Sequence, residues 1–225
     1  MSKELTLPQA LVLLALRDED GKFMGSWHRI VFGGAIISEL FLRGALDLGG
    51  KKGDRVKVVD ASPTGSVALD HALNLIACAP KPKKVQSWVN SLAGRSQSQK
   101  LILQELTEMG ALTQEKQKVL VFFNATRWPE ANSMYESKLK SEMARVLFTP
   151  GTQVDERMGT IICLANLANL LKRNFDREEL KANKAHIKTI TDSPELAAPA
   201  VKSAIQAAQA AVIAATTAST VAAVS

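Results

Sequence analysis

The chain has 225 residues, 46% of them hydrophobic and 22% charged, so it can bury a sizeable core and is not a disordered chain. Its net charge is +6 and its pI about 9.4, a modest basic excess that points to an acidic partner (a phospholipid surface, a nucleic acid or an acidic tail) without choosing among them. Its two cysteines, Cys78 and Cys163, lie in apolar helical runs and read as buried free thiols of a reducing compartment. Cysteine and histidine are too few and scattered for a zinc site.

"MSKELTLPQ" lacks the basic stretch, apolar core and cleavage site of a signal peptide. Residues 8–17 open with Pro8 at a first helical position and carry a continuous apolar face. Gly21 turns the chain, and Trp27 follows in a loop beside His28 and Arg29. Residues 30–43 read as a second helix. Its Gly33-Gly34 pair costs about 1 kcal/mol of helix propensity per residue, which implies a close neighbour. Gly44 ends that helix, and "ALDLGGKKGDRVKVVD" reads as a β-hairpin. Ser66 caps a helix over 67–77. Lys81, Lys83 and Lys84 sit in a linker that reads as solvated rather than as an electrostatic membrane patch, and a short amphipathic helix containing Trp88 follows.

"SELFLRGALDL…RVKVV" is echoed by "LQELTEMGALTQEKQKVLVFF": helix, Gly-Ala-Leu, hairpin, twice over. After the loop around Trp128, residues 134–148 form a charged amphipathic helix. "VDERMGTIICLANLANLLKRNF" reads as one helix, the most apolar, and hence central. "DREELKANKAHIKTI" reads as amphipathic and exposed. Ser193 caps a last Ala-rich helix over 194–225, soluble and frayed at its end; no other uncharged run approaches the ~20 residues that span a bilayer. The sum is a mainly α single domain over 1–225, a helix bundle with two small β-hairpins.

Catalytic signatures are missing. There is no P-loop, Rossmann glycine pattern, HExxH or GxSxG. His28, His71 and His186 lie in three separate segments. Asp70 and His71 are adjacent in a helix and point about 100° apart. The remaining carboxylates read as solvated, and the chain reads as a non-enzyme without cofactor or metal.

Five stretches resemble the Golgi phosphoprotein 3 family: "LTLPQALVLLALRDEDG", "SELFLRGALDL", "DASPTGSVALDHAL", "GALTQEKQKVL" and "VDERMGTIICLANLANLL". The match runs from about residue 4 to about residue 190, with the stretches in order and at similar spacing. The resemblance implies a compact helical fold and no catalysis. It implies a peripheral membrane protein that binds phosphatidylinositol 4-phosphate on the cytosolic face of the Golgi in eukaryotes, and that acts as a trafficking adaptor for membrane-protein cytosolic tails and vesicle coat. It also implies that residues 113–132 are a hairpin for membrane contact or self-association into a homo-oligomer, through Leu120, Phe122, Phe123 and Trp128. The family's lipid-pocket tryptophan corresponds to Trp27. Its three basic positions fall here on Gly33, Ser96 and Gln99, and Arg29, Arg95 and Lys100 stand close by in sequence as substitutes.

Trp27 therefore has two readings, an indole at a membrane interface or a plug between the first two helices. Two other functions stay open. One is a protein-binding adaptor without lipid contact. The other is a winged-helix nucleic-acid binder, which the apolar, acidic helices before both hairpins disfavour, so no nucleic-acid partner is expected.

Overall fold

The structure is a computed structural model that describes residues 4–17, 20–23, 28–119, 123–192 and 199–222. Its centre is helix α1 (Leu7–Ala15), whose nine residues are all buried. Thr6 and Gln9 form a capping box: the Thr6 hydroxyl accepts from the Gln9 amide, and the Gln9 side chain accepts from the Thr6 amide at 3.0 Å. Helix α2 (His28–Leu42) packs beside α1 and is enclosed by α4 (Val85–Ala93), α7 (Glu156–Leu167) and α11 (Pro199–Ala222). The Gly33-Gly34 pair makes this possible. A Cβ on Gly33 would overlap the Val89 carbonyl of α4, and one on Gly34 would lie 2.9 Å from the Ala208 Cβ of α11.

The repeat seen in the sequence is a repeat in space. Helix α2 leads to hairpin β1 (Leu46–Gly49) and β2 (Arg55–Val58). Helix α5 (Ser96–Glu108) leads to β3 (Glu115–Val119) and β4 (Phe123–Arg127). Both helices end on a left-handed glycine, Gly44 at φ 69° and Gly110 at φ 72°. The next amides close the same bond, Ala45 to the Leu40 carbonyl and Ala111 to that of Leu106. Each of those alanine carbonyls then accepts two amides from the segment after its hairpin: Val59 and Asp60 on Ala45, Ala131 and Asn132 on Ala111.

Helix α3 (Val67–Ala77) begins at Ser66, whose hydroxyl accepts from the Leu69 amide, as the sequence indicates. Helix α6 (Met134–Phe148) matches its expected span. Three other expectations are corrected. The long apolar run is not one continuous helix. It breaks into α7 and α8 (Leu171–Asn174) at Asn169, which takes φ 58°, a conformation asparagine tolerates. The amphipathic run after it divides at Asn183 into α9 (Arg177–Ala182) and α10 (Lys184–Asp192), and Ile190 of α10 is buried. Cys78 is exposed at the C-cap of α3, and Cys163 is half-buried beneath α10; having an apolar neighbour in sequence did not place either thiol fully inside. Ser193 lies outside the described residues, where its capping role has no structural account.

Candidate functional site

The backbone contact at Gly33 sets the geometry of the first site. It presses α2 against the C-terminal end of α4, with the Ala93 amide 3.1 Å from where a Gly33 Cβ would stand. Arg29 lies one turn before Gly33, about 6 Å along the axis. Arg95 lies two residues after Ala93, at the N-cap of α5. The start of α2 and the α4–α5 link thus share one end of the molecule. Arg29, which the sequence puts in a loop, is on the first turn of α2. Both arginines are exposed, and neither has a hydrogen bond or ion pair to any described carboxylate. Lys100 is exposed on α5, on the side away from the buried Ser98, Ile102 and Leu106, and it too has no ion pair among the described residues. Trp27 lies outside the described residues.

Two carboxylates expected at the surface are buried instead. Glu39 is fully enclosed. It accepts from both terminal nitrogens of Arg157, from Nε of Arg43 at 2.6 Å and from the Leu7 amide at 2.8 Å, so it caps the start of α1. Burial by itself raises its pKa. The hydrogen bonds from Arg157, Leu7 and Arg43 outweigh that, and the net direction is down. Glu105 accepts from the Ala68 amide at 2.9 Å, from the Ser66 hydroxyl and from Gln9, so it caps the start of α3. Glu39 and Glu105 each stand five residues before the glycine of their repeat. That shared spacing was the available signal for pairing their roles. Both act structurally.

Near Arg157, at the opposite end of α2 from Arg29, α6, α7 and the start of α1 enclose a cleft of about 450 Å³. Met134, Leu139, Met158 and Ile161 supply apolar wall, and Glu4, Lys138 and Glu142 supply charge. Met134 is 74% exposed.

The family profile described as Golgi phosphoprotein 3 (GPP34) matches residues 7–208, nearly the whole described fold. The chain belongs to the Golgi phosphoprotein 3 family. A relative, the vacuolar protein sorting-associated protein 74 of Eremothecium gossypii, is 26% identical over 203 aligned residues. The match covers 75% of this chain and 61% of that protein, so the chain spans about three fifths of its relative.

At the positions matched to the Golgi phosphoprotein 3 lipid pocket, Gly33 is sealed against α4 and has no room for a side chain. Ser96 is exposed at the start of α5, and Gln99 is half-buried. In the family's hairpin, Leu120 and Phe122 lie outside the described residues, and Phe123 is described only as backbone paired with Val119. Trp128 does not stand at a projecting tip. It is half-buried against the core, its amide donates to the Gly21 carbonyl at 3.2 Å, and Gly21 has no space for a Cβ beneath it. Among the described residues, no helix is long and apolar enough to cross a membrane.

Proposed function

We propose that this protein is a non-catalytic, peripheral membrane adaptor of Golgi-type trafficking and retention, held to anionic phospholipid headgroups by cations where α2 meets the α4–α5 link. The observation that carries this reading is the placement of Arg29 and Arg95 at one end of the molecule, exposed and without a carboxylate partner among the described residues. Guanidinium groups are the donors suited to a headgroup phosphate, because the bonds are charge-assisted and can be bidentate. Family membership supports the same reading. Phosphatidylinositol 4-phosphate is the finer form of the proposal. With Gly33, Ser96 and Gln99 uncharged, its extra phosphate has Arg29, Arg95 and Lys100 to draw on.

The winged-helix alternative is disfavoured because α2, which precedes the first hairpin, is enclosed on several sides and offers no free face to a groove. A protein-binding adaptor without lipid contact draws support from the cleft beside Met134.

Vesicle flotation tests the proposal. The protein should float with phosphatidylcholine vesicles containing phosphatidylserine, float more with phosphatidylinositol 4-phosphate, and stay down with phosphatidylcholine alone. Arg29→Ala with Arg95→Ala should float several-fold less, as should Trp27→Ala. Equal recovery on neutral and anionic vesicles removes the lipid reading and leaves the protein-binding one.

A further inference from the structure

A second cationic feature stands at the other end of α4. Residues 81–84 are not a free linker. The Val56 amide donates to the Lys83 carbonyl at 2.9 Å, Arg55 donates to the Pro82 carbonyl at 2.7 Å, and Lys84 pairs with Asp54 at 3.0 Å. The segment is therefore clamped along the outer side of β2, with β1 on the other side. This edge brings together Lys51 and Lys52 of the β1–β2 turn, Arg55 and Lys57 of β2, and Lys81, Lys83 and Lys84. Asp47 is taken by Lys57 and Asp54 by Lys84. Lys51, Lys52 and Lys81 are exposed and have no carboxylate partner among the described residues.

The edge is continuous with the first site through α4. Lys84 is the N-cap of α4, and Arg95 stands just past the other end of that nine-residue helix, which is roughly 14 Å long. The exposed side of α4 is Gln86, Ser87 and Asn90, which are neutral. From His71 to Gln104 the sequence holds no carboxylate at all. A stretch this long without an acid, with cations at both ends of one exposed helix, suits an extended anionic plane better than a single phosphate.

Other polyanions fit less well. No described aromatic offers a stacking platform here: Trp88 is 2% exposed and lies beneath Lys83, whose Nζ is 4.8 Å from the ring centroid. Duplex nucleic acid would need a helix to present beside the hairpin, and α2 is enclosed.

We infer that the β1–β2 turn and residues 81–84 form a second contact with anionic membranes, so that the protein lies with the outer side of α4 along the bilayer. The inference rests on the lipid reading above and extends it to residues well outside the family-matched pocket.

The test uses the full chain and phosphatidylcholine vesicles with and without phosphatidylserine. Lys51→Gln, Lys52→Gln and Lys81→Gln are combined in one variant. These side chains are exposed and make no hydrogen bond or ion pair among the described residues, and the triple Lys→Arg variant serves as the charge-retaining control. The Gln variant should bind anionic vesicles on the order of tenfold or more weaker, with a shallower dependence on salt, and the Arg variant should bind like wild type. If wild type ignores anionic vesicles, the lipid reading itself falls and this inference falls with it. If wild type binds, the Arg29/Arg95 variant loses binding and the Lys→Gln variant does not, only the second contact is overturned. If the Lys→Gln variant loses binding to duplex DNA or heparin but keeps vesicle binding, the edge serves another polyanion and the inference is likewise overturned.

Discussion

Arg157 reaches across 118 residues of sequence to clasp Glu39, its two terminal nitrogens 2.8 and 2.9 Å from the carboxylate oxygens. The pair fixes α7 to α2, and through the Leu7 amide it fixes both to the start of α1. Because Glu39 is fully enclosed, replacing it with glutamine leaves a mostly buried guanidinium without its close partner, with only the exposed Glu4 at 3.6 Å still paired to it. Glu39→Gln should cost about 3–5 kcal/mol, the range for breaking a buried pair from one side. In a chain of this size that is a fall of roughly 6–20 °C in melting temperature, readable by calorimetry.

The same carboxylate gives the fold an acid-sensitive element. Its folded pKa lies below its ordinary value of 4.5. A group lowered in this way contributes stability above its unfolded pKa, and that contribution is lost as the pH falls through the folded value. Wild type should therefore lose stability below about pH 4.5 more steeply than Glu39→Gln does. Urea midpoints measured from pH 6 down to pH 3 would show the two curves converging. Parallel curves would mean that other carboxylates govern the acid limb.

Gly33→Ala opposes two effects. Alanine gains about 1 kcal/mol of helix propensity over glycine. The new methyl, however, meets the backbone carbonyl of Val89, which is held in the ladder of α4 and cannot swing aside. Overpacking of this kind costs about 1–3 kcal/mol and sometimes more, so the variant should be less stable than wild type and α2 should stand off from α4. Gly34→Ala meets a side-chain methyl, that of Ala208, at 2.9 Å, so it should cost less than Gly33→Ala. Equal urea midpoints for Gly33→Ala and wild type would show that the two helices are not in backbone contact.

These glycines also mark how far the sequence could be read. Their presence in a helical run signalled a close neighbour, but α4 and Ala208 are distant in sequence and could not be named from it. Local signals did carry through: the Ser66 cap and Gly44 and Gly110 as helix ends are set by bonds within a few residues, and the repeated hairpins by pairing between neighbouring segments. The burial of Glu39 and Glu105 was not legible, because a carboxylate's burial depends on partners such as Arg157 and Gln9 that lie far off along the chain. At the candidate site, the sequence supplied Arg29 and Arg95 by their nearness to family positions. Their common end of the molecule comes from the tertiary contact at Gly33.

The two thiols should differ sharply in reactivity. Cys163 is packed beneath α10, and burial, with the nearby Asp192 charge, pushes its pKa up to about 11. Cys78 is exposed. Since the thiolate is the nucleophile, iodoacetamide at pH 8 should label Cys78 first and leave Cys163 almost untouched until the protein unfolds. Peptide mass spectrometry over a time course reads this directly. Comparable labelling of both would show that α10 opens from α7 under native conditions.

The break between α7 and α8 depends on one residue. Asn169 holds φ 58°, and the turn it makes lets the Leu170 amide donate to the Ala165 carbonyl at 2.8 Å, which closes the end of α7. A side chain with a Cβ costs about 1–2 kcal/mol in that conformation; glycine avoids the steric strain, and asparagine tolerates it. Asn169→Gly should therefore be as stable as wild type, and Asn169→Ala should lose about 1 kcal/mol. If alanine instead stabilised the protein, the run would be continuing as one helix through position 169. Leu170 and Leu171, now 1% and 2% exposed, would then turn away from their present neighbours, and the core beneath α1 would have to repack. The pair of variants thus decides between a broken helix and a straight one without a further structure.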